Sequence, residues 1–310
     1  MDTIYRVNKD YLNTRIDRWV RKNICKIPQG LIEKNLRNQN ITVNKLKVKS
    51  SYKLKSDDEI IIRNFSPKGR VVSQKKKYIP EKTEISDSSK FFIENNENFV
   101  IVNKPSGLAV QDGTKSRKNL IDIISHNHFF SCKKPFLVHR IDKDTSGILI
   151  IAKNKSYAQL FTTLFRIRKI HKTYLSICSG QISNQKGKFI STLIRYEKNK
   201  KVNEKAITNY KILDKNSLAT LILVNPVTGR KHQIRKQLSS AGHPIFGDIK
   251  YNFSEFKSNM KNRLMLHSYS IKFIINDEKH EYKVNVPEYF KNMLKAKRLT
   301  LPKNFQKIFD

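Results

Sequence analysis

The sequence predicts an α+β chain built in two parts. Residues 14–63 hold two short amphipathic helical stretches followed by short β-type runs. Residues 64–90 hold Pro67, Gly69, Pro80, the run Lys75-Lys76-Lys77 and Ser86-Asp87-Ser88-Ser89, which offer little to a core and read as a linker. From residue 91 to residue 310 buried-strand runs surround one long helical stripe. A length of 310 residues suits one large or two modest domains.

The first part is basic along its helices. Ile16, Trp19 and Val20 share one helical face, with Arg15, Arg18, Arg21 and Lys22 around it. Pro28-Gln29-Gly30 breaks the chain, and Leu31, Ile32 and Leu36 mark a second helix with Lys34 and Arg37 outward. Ile41-Thr42-Val43 reads as a strand and Asn44-Lys45 as a turn, with Lys47-Val48-Lys49 and Glu59-Ile60-Ile61-Ile62 as further strands. Cations on both helix faces fit an RNA-binding surface; a small domain with solvated Lys and Arg is the plainer reading.

Charge narrows the class of partner. The chain has 62 Lys and Arg against 26 Asp and Glu, a formal net charge of +36, which attracts polyanions. Nucleic acid is the first candidate and an anionic membrane surface the second. The chain is also rich in Asn and Ile, a compositional bias that makes the sign of the charge more informative than its size. Cys25, Cys132 and Cys178 lie far apart with no C-x-x-C pair, so neither a zinc site nor a disulfide framework is expected. The N-terminus lacks an apolar signal core, and no run approaches the roughly 18 apolar residues of a spanning helix. The expected location is cytoplasmic.

The second part opens with the buried strand Phe99-Val100-Ile101-Val102 and the turn Asn103-Lys104-Pro105-Ser106-Gly107. Gln111 can hydrogen-bond but not titrate. His126 and His128 have no third ligand near them in sequence, so no metal is expected. Apolar runs 136–138 and 148–152 then flank His139-Arg140-Ile141-Asp142-Lys143-Asp144-Thr145-Ser146-Gly147, a polar loop held between strands. It admits three readings. Asp142 and Asp144 can bond nearby amides in a turn. They can begin a calcium loop, but the twelfth residue from Asp142 is Lys153, where a bidentate Glu belongs. Or one Asp beside Arg140 is catalytic.

Asn154 caps a helix to about residue 168 whose core stripe is Tyr157, Ala158, Leu160, Phe161, Leu164 and Phe165. Lys172 to Ile177 alternates as a strand, and Leu218 to Val224 is another. Thr228 is the expected cap of a helix with Ile234 and Leu238 on its core face and Lys231 and Arg235 on another. Gly242 and Pro244 would stop it. Ile271-Lys272-Phe273-Ile274 and the region up to Val286-Pro287 supply the last strands.

These motifs carry a family resemblance. The nonamer at 139–147 resembles the HRLDxxTSG motif of the RluA/RluC/RluD-type pseudouridine synthases. The turn at 103–107 resembles their NKPxG stretch, Lys172-Thr173-Tyr174-Leu175-Ser176 their KxYLA motif, and residues 229–235 their GRxHQIR motif. Residues 242–248 resemble GHPIxGD, and Leu266-His267-Ser268 resembles LHA. Residues 14–63 resemble an S4 RNA-binding domain, and the text at 27–44 is closest to the RluC subgroup.

The resemblance implies a catalytic domain with a mixed, mostly antiparallel sheet flanked by helices. It implies that Asp142 is the catalytic carboxylate, as nucleophile or base, with Arg235 as its partner and Tyr174 against the uracil, its hydroxyl assisting proton removal at C5. It implies that Arg140 fills the space left by an everted base, that Leu266 packs in the pocket, and that Arg230, Lys231 and His232 meet phosphates or orient the loop. Arg15, Arg18, Lys34 and Arg37 would bind RNA from the first domain. The implied substrate is 23S ribosomal RNA, taken by a monomer without cofactor, membrane or obligate protein partner. Other uridines of that RNA or a tRNA are alternative targets. A non-catalytic S4-type RNA-binding or ribosome-assembly protein is the alternative from another class.

Overall fold

The structure is a computed structural model that describes residues 2–8, 11–24, 27–63, 78–113, 117–130, 135–197, 200–252, 263–302 and 305. It divides into two compact units, Met1–Lys77 and Tyr78–Asp310.

The first unit holds β1 (Thr3–Arg6), α1 (Ile16–Asn23), α2 (Gln29–Arg37), β2 (Ile41–Val43) and β3 (Glu59–Ile62). Its sheet is antiparallel in the order β1-β3-β2. Ile16, Trp19, Val20, Ile32 and Leu36 pack with Ile41, Val43, Leu54 and Ile60, so the apolar faces of both helices meet one core. Two local expectations change. Thr3–Arg6, unremarkable as sequence, pairs with β3. The expected strand Lys47-Val48-Lys49 does not form. Asn44 and Lys45 take left-handed φ of 51° and 63°, Leu46 folds straight back onto Val43, and the next residues leave the sheet.

Residues 64–77 of the expected linker lie outside the described residues. Its last part is ordered, contrary to expectation. α3 (Lys82–Ser88) carries a capping box between Glu81 and Glu84. Tyr78 and Lys118 both bond Glu84, and the Asn127 amide bonds the buried Ser88 hydroxyl at 3.1 Å. These side-chain bonds, with Tyr78 packed against the core, fold the stretch into the second unit.

That unit continues with β4 (Phe92–Asn95), β5 (Phe99–Lys104), α4 (Leu120–Ile124), β6 (Phe136–Leu137), β7 (Ser146–Ala152), α5 (Lys155–Arg166) and β8 (His171–Ser179). Then come β9 (Lys186–Glu197), β10 (Lys200–Lys215), β11 (Ala219–Pro226), α6 (Gln233–Ser240), β12 (Leu266–Ile275), β13 (Glu278–Lys283) and α7 (Glu288–Ala296). Among the described residues the strands form one ten-stranded sheet in the order β4-β5-β7-β12-β8-β11-β10-β9, with β6 on β7 and β13 on β12. Every pair is antiparallel except β7 with β12, so the sheet is mixed and mostly antiparallel as expected. Phe161 of α5 packs edge-on against Phe99 and Phe273, at 5.3 and 5.4 Å. The rest of the α5 stripe is only partly buried. The β9–β10 hairpin is the largest element that sequence periodicity did not announce. No helix among the described residues is long and apolar enough to cross a membrane.

Candidate active site

The polar loop 139–145 lies between β6 and β7 and is fastened at both ends. His139 accepts the Ile150 amide at Nε2 (2.9 Å) and lies against Phe165, ring centroids 4.4 Å apart. Burial pulls its imidazole down to about 3, so it is a neutral brace. At the other end Gly147 has φ +106°, and a side chain there would collide with the Ser268 backbone of β12. Only glycine lets the loop enter β7 so close to its parallel neighbour. The 103–107 turn clamps the middle. Lys104, fully buried, donates to the carbonyls of Pro105 (2.8 Å), Leu108 (2.8 Å) and Lys143 (2.9 Å). The Ser106 hydroxyl donates to the Asp144 carbonyl at 2.7 Å and the Gly107 amide to the Lys143 carbonyl at 3.0 Å. Three carbonyls ask for all three ammonium protons, while burial drags the amine down to about 7.

Asp142 is therefore held from below and stays partly open, its side chain 26% exposed. Arg235 reaches it from α6, Nη1 donating to Oδ2 at 3.2 Å. The same guanidinium forks onto Asp248, with Nε to Oδ2 at 2.8 Å and Nη2 to Oδ1 at 2.9 Å. Asp248 also accepts the amides of Lys250 and Tyr251 at 3.0 and 3.1 Å. Burial works against the charge on Arg235, but the two carboxylates outweigh it and hold its pKa above the ordinary value. Burial likewise opposes the Asp248 charge, and Arg235 overcomes it. Tyr251 lies under the guanidinium, 5.2 Å from ring centroid to Cζ, and bonds His232 Nδ1 at 2.8 Å. His232 Nε2 stands 3.8 Å from Asp142 Oδ1. Burial lowers its pKa despite that carboxylate, with the nearby Arg235 adding to the effect.

The expected start of α6 is corrected. Thr228 spends its hydroxyl on the Ile207 amide (2.9 Å) and on Gln233 (2.7 Å), and the cap falls to His232 at φ 54°. Lys231 thus precedes the helix and shares no helical face with Arg235. The left-handed turn is what brings the His232 ring to Asp142.

A cleft of about 1100 Å³ opens over this group. Arg140, Asp142, Tyr174, Arg230, Lys231, His232, Arg235 and Leu266, all singled out from sequence, line it. Tyr174 is 8% exposed; burial and then the Asp142 charge push its phenol up to about 12. Arg140 and Lys231 are exposed, and Arg230 pairs with Glu204 at 2.9 Å. Arg15, Arg18, Lys34 and Arg37 belong to the other unit, where Arg15 bonds Asp17 and the other three are exposed. Sequence reasoning quoted Lys104 and Asp248 inside motifs but gave them no task, and it passed over Tyr251.

Known proteins resemble the chain throughout. Residues 98–240 match the family model described as RNA pseudouridylate synthase. The ribosomal large subunit pseudouridine synthase C of Buchnera aphidicola subsp. Schizaphis graminum is 33% identical, over 94% of this chain and 96% of that protein. The chain belongs to the RNA pseudouridylate synthase family. The synthase C of Escherichia coli strain K12 is 29% identical over 87% of this chain and 88% of its own. Both bear the name of the subgroup anticipated from residues 27–44. A solved structure, human RNA pseudouridylate synthase domain containing 4, superposes with a TM-score of 0.61 at 24% identity, over 71% of this chain and 98% of that one. This last match supports a pseudouridylate synthase fold over most of the chain.

Proposed function

We propose that this protein is an RNA pseudouridine synthase that isomerises uridines of large-subunit ribosomal RNA, with Asp142 as the reacting carboxylate. One observation carries the reading. Asp142 presents a partly open carboxylate to a cleft it shares with a buried tyrosine, while Arg235 is bound more tightly by Asp248 than by Asp142. Pseudouridine formation breaks the bond from uracil N1 to ribose C1′, turns the base, joins C5 to C1′ and moves the C5 proton to nitrogen. Atoms and electrons balance without an outside reagent. Asp142 serves the glycosidic step as nucleophile or base. Arg235 holds one of its oxygens by a single hydrogen bond and leaves the other toward the cleft.

The uridine must leave its stack to reach the cleft, at a cost of a few kcal/mol. Arg140, two residues before Asp142, takes the vacated place. Tyr174 stays protonated at neutral pH, so it contributes its ring to the uracil rather than a base for the C5 proton. Leu266 packs beside it. The first unit, read as an S4-like domain, adds affinity through Arg18, Lys34 and Arg37, raising the local concentration of RNA at the cleft. Phosphate contacts dominate affinity, which falls steeply with salt.

The experiment is a pseudouridine map of ribosomal RNA by chemical modification and primer extension. It compares wild type, a deletion strain, and the deletion carrying Asp142→Asn. Sites lost in the deletion are expected to return with wild type alone. Their return with Asp142→Asn would end this mechanism.

A further inference from the structure

Lys172 has no task in the reaction above, and its surroundings call for one. It lies on β8 two residues before Tyr174, and both line the cleft. Side chains two apart on a strand share a face, with Cα atoms about 7 Å apart. The Lys172 ammonium is half-buried, 5.8 Å from the centroid of Phe165, the ring that also packs on His139. A Cβ placed on Gly229 would sit 4.0 Å from Nζ, so the turn before α6 borders it on another side. Burial pulls the amine below the ordinary lysine value, and no carboxylate among the described residues acts to restore it.

An unpaired lysine at the surface of so basic a chain is ordinary. A desolvated one is not, because a buried charge is costly unless something pairs with it. The other cations on this wall, Arg166 and Arg168, are exposed and make the shortage of anions worse. The missing partner must arrive with the ligand, and the anion that RNA supplies is its phosphodiester. We propose that Lys172, backed by Phe165 and bordered by the Gly229 turn, binds the backbone phosphodiester next to the everted uridine. The strand spacing fits: with uracil on Tyr174, an ammonium about 7 Å along the same face meets the sugar–phosphate chain of that nucleotide or its neighbour. This assignment rests on the pseudouridine synthase reading.

The test uses the full chain with Lys172→Met and Lys172→Arg, and a large-subunit rRNA fragment transcribed in vitro. Losing one charge-assisted contact made equally in ground and transition states raises KM about 10- to 100-fold with kcat within about threefold. The plot of log(kcat/KM) against log salt becomes shallower by about 0.7 to 0.9, the share of one phosphate. Lys172→Arg recovers most of the lost KM. The free Lys172→Met protein melts no lower than wild type, because an unpaired buried cation has been replaced by an apolar chain of similar length. A wild-type KM and salt slope in Lys172→Met overturns the proposal. So does a lowered melting temperature with Lys172→Arg equally impaired, which would make Lys172 a packing residue. If wild type forms no pseudouridine, the functional reading fails on its own. The RNA dissociation constants of wild type and Lys172→Met, with their salt slopes, then decide the role of Lys172.

Discussion

Asp248→Asn tests the logic of the site more sharply than replacing Asp142, the carboxylate proposed to react. Asp248 is 1% exposed at its side chain and holds Arg235, itself 6% exposed, by two bonds of 2.8 and 2.9 Å. Asparagine keeps the shape, loses the charge and turns an N–H₂ toward one guanidinium N–H. Breaking one partner of a buried pair costs roughly 3–5 kcal/mol. Taking about 3 kcal/mol, because one acceptor survives, a unit the size of 78–310 should melt about 6–12 °C lower. Among the described residues Asp142 is then the remaining carboxylate on Arg235. It is drawn closer and loses the orientation the reaction needs, and displacements of about 1 Å can cost on the order of a hundredfold in rate. Single-turnover pseudouridine formation on an rRNA transcript, with thermal melts of the same preparations, reads both effects. A lowered melting temperature with an unchanged rate would show that Asp248 braces the fold without steering Asp142, and the reasoning here would be wrong. The stability costs of Asp142→Asn and Asp248→Asn should also fail to add, since both remove an anion from one guanidinium.

Three further outcomes follow from the same geometry. Lys104→Met leaves the carbonyls of Pro105, Leu108 and Lys143 without their donor, so stability should drop by about 3 kcal/mol or more in urea melts, with slower turnover as the 142–144 loop loosens. His139 and His267 are held neutral, at about 3 and about 4, whereas in the unfolded chain each takes a proton near 6.5. Below that pH the unfolded chain binds more protons, so stability complete above 6.5 is lost as pH falls toward 4, by about 2.7 kcal/mol per unit from the pair. Urea midpoints that do not move between pH 7 and pH 5 would contradict this. Gly147→Ala meets both a φ of +106° and the Ser268 backbone, and should cost about 3 kcal/mol or abolish folding, read as the soluble yield and melting temperature of the variant.

Short-range pattern made some elements legible and hid others. β5, β7 and β11 announce themselves as unbroken apolar runs, and α5 by apolar residues at the helical period. The β9–β10 hairpin does not. Its buried side is Ala206, Thr208, Tyr210 and Ile212, while Ile190, Ile194 and Tyr196 stand 63%, 45% and 74% exposed, so hydrophobicity does not track burial. α3 hides in a run of Ser, Asp and Lys, and its signal was the Glu81–Glu84 spacing of a capping box. Thr228 has the chemistry of a cap, but Ile207 and Gln233 claim its hydroxyl. Asp142 and Arg235 are 93 residues apart, and no periodicity joins them. Only the resemblance of two motifs put them on one page.

The same contacts explain why the site needs two carboxylates on one arginine. A lone Asp–Arg pair would bond both oxygens in a fork and leave neither for chemistry. Here the fork goes to Asp248, which the Lys250 and Tyr251 amides fix from behind. Asp142 receives an N–H of Nη1 at 3.2 Å through Oδ2, and His232 stands 3.8 Å from its Oδ1 on the side of the cleft. The cation thus lends its charge to Asp142 without occupying both of its oxygens. Lys104 sets the height of the loop that carries that group through the Lys143 carbonyl, one residue away. Charge and position are supplied by different side chains from distant parts of the sequence, which is why each can be removed separately and why their losses should differ: Asp248 and Arg235 in rate and stability together, Lys104 first in stability.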